Sequence, residues 1–594
     1  MKKILILLVL LLFIAVSFHP LSLLAKNEEP EKKHTANPDK PKFFQASQYL
    51  NFFYLLPVYP TLFFPDLRLN MMFLVNQFNF QPLKKTSIPK KRVGRAVLEG
   101  VGHFVYATAS YWIRKDVMME DWEYLFTWKD QKRRFFFLDG MRFDSNSFQF
   151  NWTHAMAGAI YYNYARTNRL NPLESFLFCF GASYFWEFVI EFREVVSIND
   201  VISTPMGGVS VGEALFQLGR LFRSKKPTFL NRIARLLSNP VLSFNEWLDR
   251  KKYKNQYAFK NDYWNDNRLF IGPRFDVFSG SDPGGFLQLG LESQINLIPE
   301  YGKPDVSSRV INHPAFTELN IGGVFCRKGL YEYNIFAKSV LFGYFIQDIH
   351  RPRVPHFNIS DENHTAINNN AGVTGDDTET YGGGGNVGYS LFVGLATCFD
   401  LIEKDPVIAA EMTEQEGTGD SPDKMARYCI INLLGPTVDC SLFHKGLRVR
   451  FAVDAYGDFS LIHSYAFKKY SELYEFGQTK STLENHDYYY ALGVTFSSKL
   501  QVNYSNVELK GFFKYHYFDS VEGLDRFQKD MLEEDDFDLK DHRWWYNISL
   551  GYRIPNTSVR LVLGLERWDR KGYIGDLVQQ STERRSYFQI QYLF

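Results

Sequence analysis

Residues 544–566 read WWYNISLGYRIPNTSVRLVLGLE, and their chemistry changes at every step. Trp544, Tyr546, Ile548, Leu550 and Tyr552 share one side of an extended chain; Trp545, Asn547, Ser549, Gly551 and Arg553 share the other. Successive side chains of a strand point to opposite faces, so this is a strand with one apolar face. Pro555-Asn556 turns the chain, and Val559, Leu561, Leu563 and Leu565 then alternate with Arg560, Val562, Gly564 and Glu566. The same rule sets Leu447, Val449, Phe451 and Val453 against Arg448, Arg450 and Asp454. It also sets Val507, Leu509, Phe513, Tyr515 and Tyr517 against Glu508, Lys510, Lys514 and His516. A soluble sandwich alternates too. Here aromatics bracket the apolar face and charges fill the other, the lipid-out, lumen-in pattern of a transmembrane barrel.

The chain ends on the same pattern, with Phe588, Ile590, Tyr592 and Phe594 alternating with Gln589, Gln591 and Leu593. This resembles the closing-strand signal that outer-membrane assembly machinery recognises in barrel proteins. About twelve strands are expected, an even number, centred near Ile271, Leu289, Ile321, Phe336, Val393, Asn432, Phe451, Val494, Phe513, Ile548, Leu563 and Ile590. Long polar connections at residues 348–385, 403–423, 460–487 and 519–540 are expected as extracellular loops, and Pro555-Asn556 as a periplasmic turn. Arg448, Arg450, Asp454, Glu508, Lys510 and Lys514 are the expected lumen-facing, candidate ligand-binding residues.

Lys plus Arg number 67 against 66 Asp plus Glu, so no net field points to nucleic acid or an acidic substrate. Phe (55) and Tyr (35) are abundant, which suits strands with aromatics at membrane interfaces. Residues 1–25 read as a signal peptide: Lys2-Lys3, an apolar run, then Ala25. Residues 26–42 read as a flexible linker. Residues 43–255 are expected as a helical domain, periplasmic or plugging the barrel, and residues 256–594 as the outer-membrane barrel. Five cysteines, Cys179, Cys326, Cys398, Cys429 and Cys440, show no metal-like spacing. Cys429 and Cys440 could pair in an oxidising compartment; small apolar fillers are the simpler reading. The fold class is thus α+β and membrane-bound, an amino-terminal helical domain followed by an antiparallel transmembrane β-barrel.

Residues 144–213 place a His, a Trp-Glu pair and further acids among otherwise apolar helices. A first helix over 153–165 puts His154, Gly158, Tyr161 and Ala165 on one face. Asn168 and Asn171-Pro172 end it and start a second, running to about Glu194, with Ser183, Glu187, Glu191 and Glu194 near one stripe. Ser197 to Asp200 carry a helix-start signature, Thr204-Pro205 ends that short helix, Gly207-Gly208 turns the chain, and a last helix follows from about Val209. Ionised acids on the second helix disfavour a lipid-facing span and point it at protein, a cavity or water.

This block resembles a bacterial family known only as a domain of unknown function, DUF3943. The resemblance rests on His154 with Gly158, Tyr161-Tyr162, Ala165-Arg166, Ser183, Trp186-Glu187, Glu191, Ser197 with Asp200, Thr204-Pro205, Gly207-Gly208 and Gly212-Glu213. Its core spans residues of about 92–222. It implies an envelope protein of Gram-negative type and brings no known activity.

His154, Glu187, Glu191, Asp200, Ser210 and Glu213 are the candidates for chemistry. One reading is a polar cluster with His154 as a base oriented by a carboxylate. The other is a set of buried hydrogen bonds that fix the helices together. A metal at His154 or His103 lacks a supporting motif, and no cofactor is expected. Gly208 to Gly212 match G-x-S-x-G around Ser210, but no strand precedes them as a nucleophile elbow requires. The expected function is non-enzymatic: passage or binding of a small polar or amphipathic molecule, or an envelope structural role. The alternative is an envelope enzyme acting on lipid or another envelope substrate through the His154/Glu187 region. Expected partners are outer-membrane lipids and, through Phe594, the barrel-assembly machinery, with no nucleic acid.

Overall fold

The computed structural model describes residues 90–113, 124–137, 140–144, 146–249, 259, 263–278, 284–351, 386–404, 427–464, 466, 482–486, 488–521 and 539–594. The expected leader, linker and the aromatic stretch at 43–80 lie outside them. From Lys91 to Phe594 the chain forms one compact unit.

The helical part begins with α1 (Val93–Ile113) and α2 (Trp128–Phe136). The two-residue strand β1 (Met141–Arg142) leads to α3 (Phe148–Thr167), α4 (Pro172–Phe185) and a π turn, Trp186–Ile190. Then come β2 (Val196–Ser197), which pairs in parallel with β1, and α5 (Ile198–Gly207). A second π turn (Gly208–Gly212) joins α5 to α6 (Glu213–Ser224), followed by α7 (Phe229–Ser238) and α8 (Pro240–Asp249).

Local chemistry explains these starts. Asn171 and Glu174 form a reciprocal capping box at α4, with Pro172 in its first turn. Ser197 caps α5 by accepting from the Asp200 amide. Three expectations fail. Thr204-Pro205 does not end α5, which holds Pro205 inside it and runs to Gly207. The second helix stops at Ile190 rather than near Glu194. Gly207-Gly208 does not turn the chain: both residues keep right-handed helical angles, and residues 198–224 run on as one rod. The glycines serve close packing instead. A Cβ on Gly207 would lie 2.4 Å from the Ala155 Cβ, and one on Gly158 would lie 1.8 Å from the Thr204 carbonyl oxygen.

The strands are β3 (Trp264–Phe278), β4 (Gly284–Asn296), β5 (Asp305–Ile311), β6 (Phe316–Cys326), β7 (Gly329–His350), β8 (Val387–Lys404), β9 (Tyr428–His444) and β10 (Leu447–His463). After them come β11 (Tyr488–Tyr504), β12 (Val507–Ser520), β13 (Leu539–Arg553), β14 (Val559–Ile574) and β15 (Leu577–Leu593). The hydrogen-bonded order β6-β4-β3-β15-β14-β13-β12-β11-β10-β9-β8-β7 returns to β6, giving a closed antiparallel barrel of twelve strands. All twelve expected centres fall in these strands. The extra strand, β5, pairs only with the last third of β7.

Closure needs turns that follow strand twist. At Lys445-Gly446 both residues have positive φ (48° and 84°), which a two-residue hairpin of this kind demands. One expected loop is misplaced. His350 pairs with Val387, which pairs with His444, so β7 and β8 are joined at the rim of the Lys445-Gly446 turn, not at the rim of the other expected long loops.

The inner face is defined by bonds between strands that are not neighbours. Lys514 on β12 meets Asp400 on β8 at 2.5 Å, Arg268 on β3 meets Glu508 on β12 at 2.9 Å, and Lys338 on β7 meets Asp454 on β10 at 2.5 Å. On the opposite face Leu563 and Leu565 are each 61% exposed. Parity assigned from the amphipathic strands therefore holds for both sides.

The helices pack on the outer face. Phe459, Ile431, Phe399, Ala337, Leu319, Ser293 and Asn267 form one row of paired residues across β10, β9, β8, β7, β6, β4 and β3. All are buried, and all have the parity opposite to the cross-barrel charges. Phe143, Phe148, Ala155, Ala159, Val211 and Leu218 share a core with that row. Polar contacts agree: Ser339 donates to the Ser210 carbonyl, Tyr490 to the Asp144 carbonyl, and Trp152 and Gln149 to Glu403. The described helices of the block that touch the barrel meet its outer face. The barrel's own charged side chains occupy the lumen, and apolar wall residues of the outer face hold the helices.

Candidate functional site

The block encloses a cavity of about 310 Å³ between α1, α3, α4 and α5. Its lining includes the polar residues Asp144, His154, Ser183, Glu187, Glu191 and Asp200, intermixed with rings such as Tyr111, Phe150 and Trp186. Four of the six candidates thus meet in one place: His154, Glu187, Glu191 and Asp200.

Each is held by local structure. His154, on α3, brings Nδ1 to 3.2 Å from Asp200 Oδ1 and to 3.2 Å from the Asn151 carbonyl. Asp200 sits in the first turn of α5, and its Oδ1 also accepts from Asn199. Glu187 lies in the π turn and accepts from the Ser197 amide at 3.1 Å. Such a turn inserts one residue into a helix and re-aims the side chains around it. Glu191 follows the helix end and accepts from Trp186 Nε1 at 2.8 Å. Tyr111 on α1 donates to Glu194.

The end of α4 leaves carbonyls without helical partners. Arg134, fully buried on α2, donates to the carbonyls of Glu187, Glu191 and Glu194 at 2.8, 2.9 and 2.7 Å. It secures the backbone that carries the acids. The site therefore sets an imidazole and several carboxyl groups side by side among aromatic rings.

Ser210 and Glu213 stand elsewhere. Ser210 is buried in the second π turn and donates to the Met206 carbonyl at 2.9 Å. No strand leads into it, so it is no nucleophile elbow. Glu213 accepts from Arg166 at 2.7 Å, Tyr162 at 2.8 Å and Gln217 at 2.5 Å, a buried set of bonds that ties α3 to α6. His103 lines a different groove, where its Nδ1 lies 3.3 Å from the Tyr164 hydroxyl. Among the described residues no group of three or more His, Cys, Asp and Glu side chains is placed to hold a metal ion.

The expected lumen residues all lie on the inner face, engaged with one another or with rings. Arg450 bonds Asp439 at 2.6 Å and Gln294 at 2.9 Å, Arg448 lies over Trp264 at 5.4 Å, and Lys510 lies 3.6 Å from Glu292. Asp454, Glu508 and Lys514 make the cross-barrel pairs given above. Cys429 and Cys440 are both free and sit eleven residues apart along β9, far beyond disulfide reach. Sequence reasoning missed Arg134, Tyr111 and Asp144. Arg134 lies in the run Lys129 to Arg134, which reads as a solvated charged face, and only the fold brings it to α4.

Comparison with known proteins adds the following. Among curated proteins none matches the chain. A loop-deletion mutant of OmpT, an outer membrane protein of Vibrio cholerae, aligns at 9% identity over 56% of this chain and 99% of its own, with a TM-score of 0.16. A mutant of the TodX monoaromatic hydrocarbon channel aligns at 7% identity over 56% and 90%, with a TM-score of 0.21. The translocator domain of the autotransporter NalP from Neisseria meningitidis aligns at 9% over 59% and 96%, with a TM-score of 0.17. The barrel assignment rests on the closed strand order, not on these likenesses. Beside that barrel, residues 140–242, the segment that builds most of the cavity, match the family model described as Domain of unknown function (DUF3943).

Proposed function

We propose that this protein is an outer-membrane barrel that serves as a platform, and that the cavity in its helical block binds a small amphipathic molecule bearing a cationic or strongly hydrogen-bond-donating group. The observation that carries this reading is the cavity itself, whose described lining combines carboxyl groups, aromatic rings and the His154 imidazole. A cavity that sets carboxyl groups among aromatic rings suits a ligand that brings hydrogen-bond donors and apolar surface together. Passage through the barrel is the weaker half of the original expectation. Inner-face charges such as Arg268, Glu332, Lys404, Asp454, Lys514 and Glu583 are each 5% exposed or less, whereas a water-filled channel leaves its lining wet. The outer-membrane location draws on the closed barrel and on the leader-like residues 1–25.

Native mass spectrometry on the full chain, purified in mild detergent, tests binding. The expected result is a small co-purifying molecule that is lost in Asp200→Ala with the barrel intact. Equal retention by Asp200→Ala, or no molecule at either protein, would overturn it.

A second reading has one observation in its favour. The 3.2 Å approach of His154 Nδ1 to Asp200 Oδ1 puts a carboxyl group beside the imidazole, an arrangement that suits general-base chemistry on an envelope lipid. Incubation with radiolabelled envelope lipids separates the two. Product formed by the parent and not by His154→Ala favours the enzyme; none from either favours binding alone.

A further inference from the structure

The surface that the helical block turns away from the barrel is strongly apolar. The block is layered. α3, α5 and α6 lie against the wall, and α1 and α4 pack outside them on α3. On that outer layer Leu98, Val105 and Ile113 of α1 are 72, 66 and 81% exposed, and Leu173 and Leu177 of α4 are 66 and 56% exposed. α4 with its π turn, Pro172–Ile190, has a mean hydropathy of 1.3 and is long and apolar enough to cross a membrane, with only a third of it buried. Exposed apolar area on this scale marks an interaction surface.

The occupant follows from where the block sits on the wall. The buried row that holds it starts at Asn267, whose carbonyl accepts from the Phe594 amide at the rim of the Pro555-Asn556 turn. It ends at Phe459, and the neighbouring contact Tyr488 is the first residue of β11, at the opposite rim. Tilted strands make a hydrogen-bonded row climb as it goes round a barrel, so a block that follows the row passes from one rim toward the other on the outside. The surface beside it is the barrel's own apolar belt. Leu492, 50% exposed, pairs directly with buried Phe459, and Ile321, 39% exposed, lies two residues from buried Leu319. An apolar helical layer continuous with that belt has the same solvent.

We propose that the outward face of α1 and α4 is a lipid-contact surface, seated among the acyl chains of the bilayer that the barrel spans. The helical block is then neither periplasmic nor a plug. It is a membrane-embedded flank, and its cavity lies at bilayer depth. Within a bilayer, backbone polar groups need internal partners, and a helical layer satisfies this as a barrel does. This inference rests on the barrel reading, so the test carries a barrel control.

The full chain is reconstituted in phosphatidylcholine–phosphatidylglycerol liposomes, with the native cysteines replaced by alanine and one nitroxide at Val105→Cys, Leu177→Cys, Leu563→Cys or Asn556→Cys. Collision rates with oxygen, which concentrates in lipid, and with a water-soluble nickel chelate are compared. Leu563 reports the barrel belt and Asn556 a turn in water. The expected result is oxygen preferred over nickel at Val105 and Leu177 by the several-fold ratio seen at Leu563, and the reverse at Asn556. A nickel-accessible Val105 and Leu177 beside a lipid-exposed Leu563 would overturn the flank alone. Little collision with either agent at Val105 and Leu177 would mean a protein cover and would overturn it too. A nickel-accessible Leu563 would overturn the barrel reading and this inference together.

Discussion

At the residue scale, the cavity is organised by contacts that α3, the π turn after α4 and α5 make with one another. His154 and Asp200 form the pair that the sequence had assigned to His154 and Glu187. A double-mutant cycle with alanine at both should show a coupling of about 0.5–3 kcal/mol, and strict additivity would show that their contact carries no energy. The residue types of the site were legible; their partners were not, because Glu187 turns to the Ser197 amide through a π turn that sequence periodicity does not reveal.

At the element scale, α3 crosses the rod of residues 198–224 backbone to backbone. Gly158→Ala would drive a Cβ to 1.8 Å from the Thr204 carbonyl oxygen, an overpacking that costs about 1–3 kcal/mol or more because backbone cannot swing away. Gly181 on α4 has nothing within 4 Å of an added Cβ. Limited proteolysis should therefore find the block cut readily in Gly158→Ala and as resistant as the parent in Gly181→Ala; equal resistance would place the crossing wrongly. Here the sequence misled in an informative way. A Gly-Gly pair permits a turn, yet also permits helices to touch, and in isolation the two uses look alike. The strands were more legible, since alternation over ten or more residues has few other causes. β5 escaped because it is only seven residues long and pairs with the last third of β7 alone.

At the scale of the whole molecule, the sequence showed which wall residues face outward and not what covers them. Phe399, Ile431 and Phe459 under the helices are as apolar as Leu563 and Leu565 in the belt, because a helix face and an acyl chain ask the same of a strand. The placement of the block on the flank was thus hidden in an alternation that was otherwise read correctly. The interior shows the complementary case. Alternating charges suggest a wet lumen until their partners are known, and here they pair across it. Buried pairs of this kind are weak evidence for stability, yet they set paired charges across the lumen. A closed lumen is what the proposed platform requires, since an open channel would leave those charges in water. Single-channel recording of the purified full chain in planar bilayers tests it most directly. The account predicts no stable conductance steps from the parent, and steps only when cross-barrel pairs are removed together, as in Lys514→Ala with Arg268→Ala and Lys338→Ala. Steady, porin-like steps from the unaltered chain would contradict it.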